Sequence, residues 1–218
     1  MAQYTDHSLS EKIEAYIIMT RKDVEILERT VCYKGFFGID RYRLRHRLFK
    51  GGWSQPIIRE LFERGHAAAV LPYDPLRDEV ILIEQFRVGA MDTPNGPWLL
   101  EIVAGIIETD EKAEDVVKRE SLEEADCEVT DLIPLYDYLV SPGGMTERIA
   151  LFCGRVNTQF AGGIHGAKDE GEDIKVHVAS LETALQFLEA GKINSASAII
   201  ALQWLILNRD RVRAQWLA

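Results

Sequence analysis

The sequence predicts an α/β protein in which a small antiparallel sheet precedes a larger sheet that is combined with helices. Two strand-like runs between residues 23 and 49 are followed by a third, PIIRELFERG, before any helical pattern begins. From His66 onward strands and helices are mixed along the chain, and two helices close it. The 218 residues, 47% hydrophobic and 28% charged, suit a globular protein with its own core.

The first predicted sheet depends on a clear alternation of residue types. Apolar or aromatic residues alternate with arginines in RYRLRHRL, residues 41–48, and the pair Gly51-Gly52 supplies a turn. We interpret the arginines as a solvated strand face; a nucleic-acid stripe and a subunit contact are the alternatives. A sheet of three strands is too thin to be stable alone, so we expect it to need a partner surface.

The larger sheet begins with two apolar strands, residues 66–72 and 80–86, joined by the turn YDPLRDE. The run WLLEIVAGIIE and a charged helical segment follow, and further strands are predicted near 132–140, near 148–156 and in IKVHVAS. Residues 162–173, GGIHGAKDEGED, have no periodicity and predict a mobile surface loop. Apolar spacing predicts two closing helices over 181–190 and 196–215.

Charge and cysteine content exclude several classes of protein. A net charge of −10 argues against a nucleic-acid partner, because that binding needs clustered cations. The three cysteines lack CxxC spacing and indicate neither a disulfide framework nor a thiolate zinc site. No apolar run reaches the length of about 18 residues that spans a membrane. We therefore expect a cytoplasmic protein, without a membrane or nucleic-acid partner, that acts on a small molecule.

An acidic helix is predicted over residues 111–126, with Asp110 as its N-cap. At about 100° per residue, Glu120 and Glu124 continue the apolar stripe of this helix, and Glu123 lies at its flank. Carboxylates crowded beside apolar groups repel one another and lose hydration unless a cation compensates them. A solvated acidic face is the alternative. Oxygen ligands in this number predict magnesium or manganese together with a diphosphate.

The spacing around this helix carries a specific motif. Residues 105–127, GIIETDEKAEDVVKRESLEEADC, resemble the Nudix box, in which a glycine, a glutamate and the run R-E-U-x-E-E stand at fixed intervals. The matching residues are Gly105, Glu111, Arg119, Glu120, Glu123 and Glu124. Ser121 and Cys127 replace aliphatic residues of the pattern, and Asp126 replaces the glycine that ends the helix. These departures concern the packing and capping of the helix end rather than its chemistry.

Other segments resemble bacterial ADP-ribose pyrophosphatases of the same family. They cover nearly the whole chain and include YKGFFGIDRYRLRHRLFKGG, RGHAAAVLPYDP, VILIEQFR, PWLLEIVAG, EGEDIKVHV and ASAIIALQWL. Pro142 of SPGG stands where ADP-ribose hydrolases have a proline past the box. The resemblance implies an α/β/α sandwich around a mixed sheet, residues 58–218. It also implies a preceding small β domain, residues 1–57, which is exchanged in a homodimer and contacts the substrate.

The resemblance further implies how the metal is bound and how water is activated. Magnesium, with manganese as the alternative, is expected at Glu120, Glu124, Glu172 and the backbone carbonyl of Ala104. The catalytic set comprises Glu170 as the base, Glu123 close to the metal, and Arg119, which we expect to hold the box carboxylates in place. For Glu170 the alternative is a residue of a solvated acidic loop.

Five residues are expected to bind the substrate by the same resemblance. They are Phe36, which stacks on adenine, Arg59 and Arg87, which contact the nucleotide and its phosphates, Ile106, and Glu147, which contacts the terminal ribose. For Phe36 the alternative is a buried strand aromatic. His66 and His165 have no serine or cysteine nucleophile around them, and we assign them to packing and to a loop.

The implied activity is the hydrolysis of ADP-ribose to AMP and ribose 5-phosphate. Two alternatives remain at this point. One is the same chemistry on another nucleoside diphosphate derivative, such as a nucleotide sugar or a dinucleotide. The other is a non-catalytic sensor of ADP-ribose, against which the complete set of carboxylates weighs.

Overall fold

The computed structural model describes residues 19–167 and 171–218, which form two compact units. The first unit contains the described residues up to Arg64 together with Gly143–Met145, and the second contains residues 65–142 and 146–218. Each unit is described by itself below.

The first unit is a three-stranded antiparallel sheet. Its strands are β1 (Val24–Lys34), β2 (Gly38–His46) and β3 (Ile57–Glu63), in the order β1-β2-β3. The small sheet predicted from the sequence is therefore confirmed. On β2, Arg45 pairs with Glu25 of β1 at 2.6 Å, and Arg43 lies opposite Glu28. The arginine face of β2 thus carries balanced charge rather than a cationic stripe.

The second unit is built on a mixed sheet. Its strands are β4 (Ala67–Asp74), β5 (Glu79–Phe86), β6 (Trp98–Glu101), β7 (Val103–Ile106), β8 (Asp131–Leu139), β9 (Arg148–Arg155), β10 (Gly163–His165) and β11 (Ile174–Ser180). The main order is β10-β11-β5-β4-β9-β8, with β6 paired to β5 and β7 paired to β4. Strands β4 and β9 run parallel, and the other pairs are antiparallel.

Helices cover both faces of this sheet. They are α1 (Ala113–Ala125), α2 (Leu181–Glu189) and α3 (Ala196–Trp216). On one face the buried residues Val116 and Val117 of α1 pack in a core cluster with strand residues such as Ile81. The other face buries Leu202 and Leu205 of α3. The predicted α/β/α sandwich around a mixed sheet is confirmed.

Two details of the sequence interpretation are wrong. The acidic helix begins at Ala113, and its N-cap position is Lys112, which makes no side-chain capping bond. Asp110 instead has a positive φ of 68°, and the Glu111 side chain is engaged by Arg119. The segment 162–173 is not wholly irregular, because Gly163–His165 forms β10 by pairing with β11. A strand of three residues that forms by backbone pairing has no side-chain periodicity from which the sequence could predict it.

The edge of the sheet at β8 has irregular pairing. Pro134 lies opposite Phe152 of β9, and the register shifts between Pro134 and Tyr136. Asp131 and Asp137 place carboxylates along the same strand, where they pair with arginines of β9.

None of the helices in the described part of the chain combines the length and the apolar character that a membrane-spanning segment needs.

Candidate active site

Strand β7 and helix α1 bring three of the predicted metal-binding residues together. Glu124 is only 2% exposed, and its Oε2 accepts a hydrogen bond from the backbone N–H of Ala104 at 3.2 Å. Glu120 lies against Gly105, where a Cβ atom would overlap its carboxylate. The glycine of the motif therefore allows a glutamate of the helix to approach the strand.

Glu172, just before β11, belongs to the same group of carboxylates. Burial raises the pKa of Glu124 to about 8, and repulsion from Glu120 and Glu172 adds to this, against a lowering by the Ala104 N–H and Arg87. Burial likewise raises the pKa of Glu120, which the charge of Arg119 partly offsets. Crowded and desolvated carboxylates of this kind are stabilised by a cation, and their oxygens suit a hard divalent ion.

Each of these carboxylates already has a partner within the protein. Glu120 accepts a hydrogen bond from Arg119 Nη1 at 2.8 Å, and Glu172 accepts one from the Ala167 N–H at 3.0 Å. Within residues 19–167 and 171–218, no three His, Cys, Asp or Glu side chains are arranged as a formed metal-ligand set. The donor chemistry fits a divalent cation, and the assignment of ligands stays a prediction.

Arg119 links the carboxylates of the motif. Its Nε donates to Glu111 at 3.2 Å, and its Nη1 donates to Glu120 at 2.8 Å and to Glu123 at 3.1 Å. Although burial opposes it, the hydrogen bond with Glu111 and the attraction of Glu120 raise the pKa of Arg119. The planar guanidinium thus holds three carboxylates in a common arrangement.

Arg87 lies at the end of β5, beside this group. Its Nε donates to Glu101 of β6 at 2.7 Å, and its charge acts on Glu124. The sequence did not identify Glu101 as a site residue, because it is only a single acidic residue within the apolar run WLLEIVAG. Gln85, 6% exposed, has no hydrogen-bond partner for its Nε2 among the described residues.

Ile106 and Glu147 lie at one end of the sheet in the second unit. Ala67 of β4 pairs with Ile106 on one side and with Ile149 on the other, which places the start of β9 at that end. Glu147 is only 4% exposed. His66 Nδ1 accepts a hydrogen bond from the Arg148 N–H at 3.3 Å, a contact that suits a packing role.

The first unit contains the remaining predicted substrate contacts. Phe36 lies between β1 and β2, is 88% exposed, and meets Phe37 edge to face with ring centroids 4.7 Å apart. It is therefore not a buried strand aromatic. Arg59 of β3 is exposed, and its Nη1 donates to the carbonyl of Ile58 at 2.7 Å. The predicted base, Glu170, lies outside the described residues.

Comparisons with known proteins agree with the motif. A family model described as NUDIX domain matches residues 63–199 of the chain. The ADP-ribose pyrophosphatase of Escherichia coli strain K12 is 53% identical over 196 residues, which cover 90% of this chain and 94% of that protein. The ADP-ribose pyrophosphatase of Haemophilus influenzae is 48% identical over 200 residues, covering 90% and 92%.

A solved structure shares the fold. The crystal structure of an ADP compounds hydrolase superposes with a TM-score of 0.65 and covers 90% of this chain and 98% of that one. At 20% sequence identity, this likeness concerns the fold alone.

Proposed function

The chain belongs to the Nudix family, and from that premise we propose that it hydrolyses ADP-ribose to AMP and ribose 5-phosphate with a divalent cation. The observation that supports the chemistry is the group of carboxylates Glu120, Glu124 and Glu172 near Ala104, in which Glu124 is buried and the other two are partly exposed. The choice of substrate is supported by the 53% identity to the Escherichia coli ADP-ribose pyrophosphatase over 90% of the chain.

The proposed mechanism divides the work among the carboxylates. Glu120, Glu124, Glu172 and the carbonyl of Ala104 would hold a magnesium ion, or a manganese ion in its place. When bound, the cation neutralises the diphosphate and polarises a phosphoryl oxygen. Arg119 keeps Glu120 and Glu123 oriented through its hydrogen bonds of 2.8 and 3.1 Å. Glu170 takes the proton of the attacking water.

The proposal also assigns a substrate contact to each of five residues. Phe36 stacks on adenine, which suits an exposed aromatic ring. Arg59 and Arg87 contact the nucleotide and its phosphates, Ile106 lies against the substrate, and Glu147 contacts the terminal ribose.

We also propose a cytoplasmic homodimer in which the first units are exchanged. The thin sheet of this unit leaves apolar side chains exposed, among them Val31 at 60% and Ile58 at 58%. A cytoplasmic location suits the three cysteines, all of which are free thiols.

A substrate panel tests the activity. Purified protein is incubated with Mg²⁺ and ADP-ribose, GDP-mannose, NADH or diadenosine polyphosphates, and the products are measured by chromatography. We expect AMP and ribose 5-phosphate from ADP-ribose at the highest kcat/KM. A higher value for GDP-mannose or a dinucleotide would move the chain to the alternative substrate class. Tight binding of ADP-ribose without turnover would identify a sensor instead.

The role of Glu170 is tested by Glu170→Gln. Loss of a general base lowers kcat by about 10²–10⁴-fold. A fall of less than about tenfold would show that Glu170 is not the main base. Asp173→Asn, at an exposed acid of the same segment, is the matched control.

A further inference from the structure

The ion pair between Arg87 and Glu101 joins two residues whose backbone positions are far apart along the β5–β6 strand pair. The Arg87 N–H donates to the carbonyl of Pro97 at 2.7 Å, whereas Glu101 lies opposite Ile83 on the same strand pair. Three residues lie between Pro97 and Glu101, and the four steps correspond to about 13 Å along an extended strand. The side chain of Arg87 must therefore run back along β5 to reach Glu101.

This path follows the sheet face that packs against α1. Ile83, opposite Glu101, shares a core cluster with Val116 and Val117 of that helix. Side chains two and four positions apart on a strand share a face, so Arg87 lies on this face too. The guanidinium is thereby drawn inward, close enough to Glu124 for its charge to act on that carboxylate.

Glu101 contacts only one edge of the guanidinium. It accepts from Nε at 2.7 Å, which is the sole hydrogen bond of the Arg87 side chain within the described part of the chain. The two terminal nitrogens, Nη1 and Nη2, are left without such a partner there, and the Arg87 side chain is 45% exposed. A planar pair of N–H₂ groups presented in this way matches the oxygens of a phosphate.

We propose that Glu101 is a positioning residue for the diphosphate: it draws Arg87 back along β5 and engages Nε, so that the Nη groups face the phosphates beside the metal-binding carboxylates. The inference rests on the proposed function, since it assigns Glu101 a part in binding that substrate. Glu101 acts through Arg87 and does not itself touch the substrate.

The experiment compares five proteins: wild type, Glu101→Gln, Arg87→Ala, the double variant and Asp131→Asn. Asp131 forms a longer and more exposed ion pair with Arg155, at 3.4 Å between β8 and β9, and serves as the carboxylate-to-amide control. For each protein we measure kcat and KM for ADP-ribose with Mg²⁺, and the unfolding temperature. Calorimetric titration with the α,β-methylene analogue of ADP-ribose, which is not cleaved, measures binding without turnover.

We expect Glu101→Gln to raise KM and the Kd of the analogue about tenfold or more, since a charge-assisted hydrogen bond is weakened. The change in kcat should be smaller, and the unfolding temperature should stay close to that of wild type, because the guanidinium of this ion pair is 45% exposed and a solvent-screened pair contributes little to stability. In the Arg87→Ala background, Glu101→Gln should cause no further loss. Asp131→Asn should behave as wild type.

Two results would overturn the positioning role. One is a Glu101→Gln variant with unchanged KM and Kd, and the other is a double variant whose loss is the product of the two single losses. A wild-type protein that binds the analogue but does not cleave ADP-ribose would refute the proposed activity alone. A protein that neither cleaves ADP-ribose nor binds the analogue would refute both.

Discussion

Asp126 ends helix α1 in the conformation that glycine adopts at least cost. Its φ and ψ are 46° and 41°, in the left-handed region. The N–H groups of Asp126 and Cys127 still donate to the carbonyls of Leu122 and Ser121, at 3.2 and 3.0 Å. The helix end therefore keeps the geometry of a glycine terminus, although the residue has a Cβ and a negative charge.

We expect Asp126→Gly to increase the free energy of unfolding by about 1 kcal/mol or less, because it removes backbone strain and a charge next to the helix C-terminus. Urea denaturation measures the change. Asp115→Gly, inside the first turn of the same helix, is the control and should lower stability by about 1 kcal/mol. A less stable Asp126→Gly protein would contradict the strain argument.

The buried carboxylate of Glu124 leads to a prediction about stability, because we expect it to oppose folding in the absence of a bound cation. Its carboxylate is 2% exposed and close to two other acids. We expect Glu124→Gln to leave the protein in EDTA at least as stable as wild type, while the rise in unfolding temperature on adding Mg²⁺ is lost and kcat falls about 100-fold or more. Differential scanning fluorimetry with and without Mg²⁺ tests this. A Mg²⁺-induced shift as large as in wild type would remove Glu124 from the ligand set.

Among the contacts between secondary-structure elements, the hydrogen bonds of Asp78 link the β4–β5 turn to helix α3. It accepts from Arg209 Nη2 at 2.7 Å and from the Tyr73 hydroxyl at 2.6 Å. The hydrogen bond from Arg209 holds the pKa of Asp78 below its ordinary value, against the effect of burial. The stabilisation is therefore complete above the unfolded-state pKa of about 3.9 and is lost as the pH falls through the lower, folded-state pKa.

We expect Asp78→Asn to lower the free energy of unfolding at pH 7 by about 1–3 kcal/mol, and to reduce the loss of stability between pH 4 and pH 2. Asparagine tolerates the positive φ of 58° at this position, so backbone strain does not confuse the result. Asp210→Asn is the control, because Asp210 is fully solvated and 3.6 Å from Arg209. Equal pH profiles for wild type and Asp78→Asn would contradict the assignment.

Local sequence patterns predicted most of the secondary-structure elements. Features that depend on long-range contacts could not be predicted from these patterns. Alternation and helical spacing are properties of short segments, so most of the strands, helix α1 and the two closing helices could be predicted from the sequence. The start of α1 could not, because Glu111 is held by Arg119 eight positions later. Glu101 gave no recognisable signal as a site residue, because its partner Arg87 meets it across a strand pairing whose register no local pattern specifies.

At the scale of the whole molecule, the exposed apolar residues of the first unit lead to a prediction about assembly. Val31 of β1 is 60% exposed. We expect wild type to be a dimer at micromolar concentration and Val31→Lys to weaken it at least tenfold, since a charge would have to be buried in the contact. Light scattering over a dilution series measures both. Leu207→Lys, at an 83% exposed leucine of α3, is the control; a monomeric wild type would refute the dimer.

The irregular edge strand β8 has a consequence for how the protein behaves when it is concentrated. An open strand edge presents unpaired N–H and C=O groups with which another extended chain can form hydrogen bonds. Pro134 has no N–H to offer, the shifted register beside it interrupts the regular spacing, and Asp131 and Asp137 add charge along the strand. These features make the edge a poor template for intermolecular strand pairing and so protect the folded protein against aggregation.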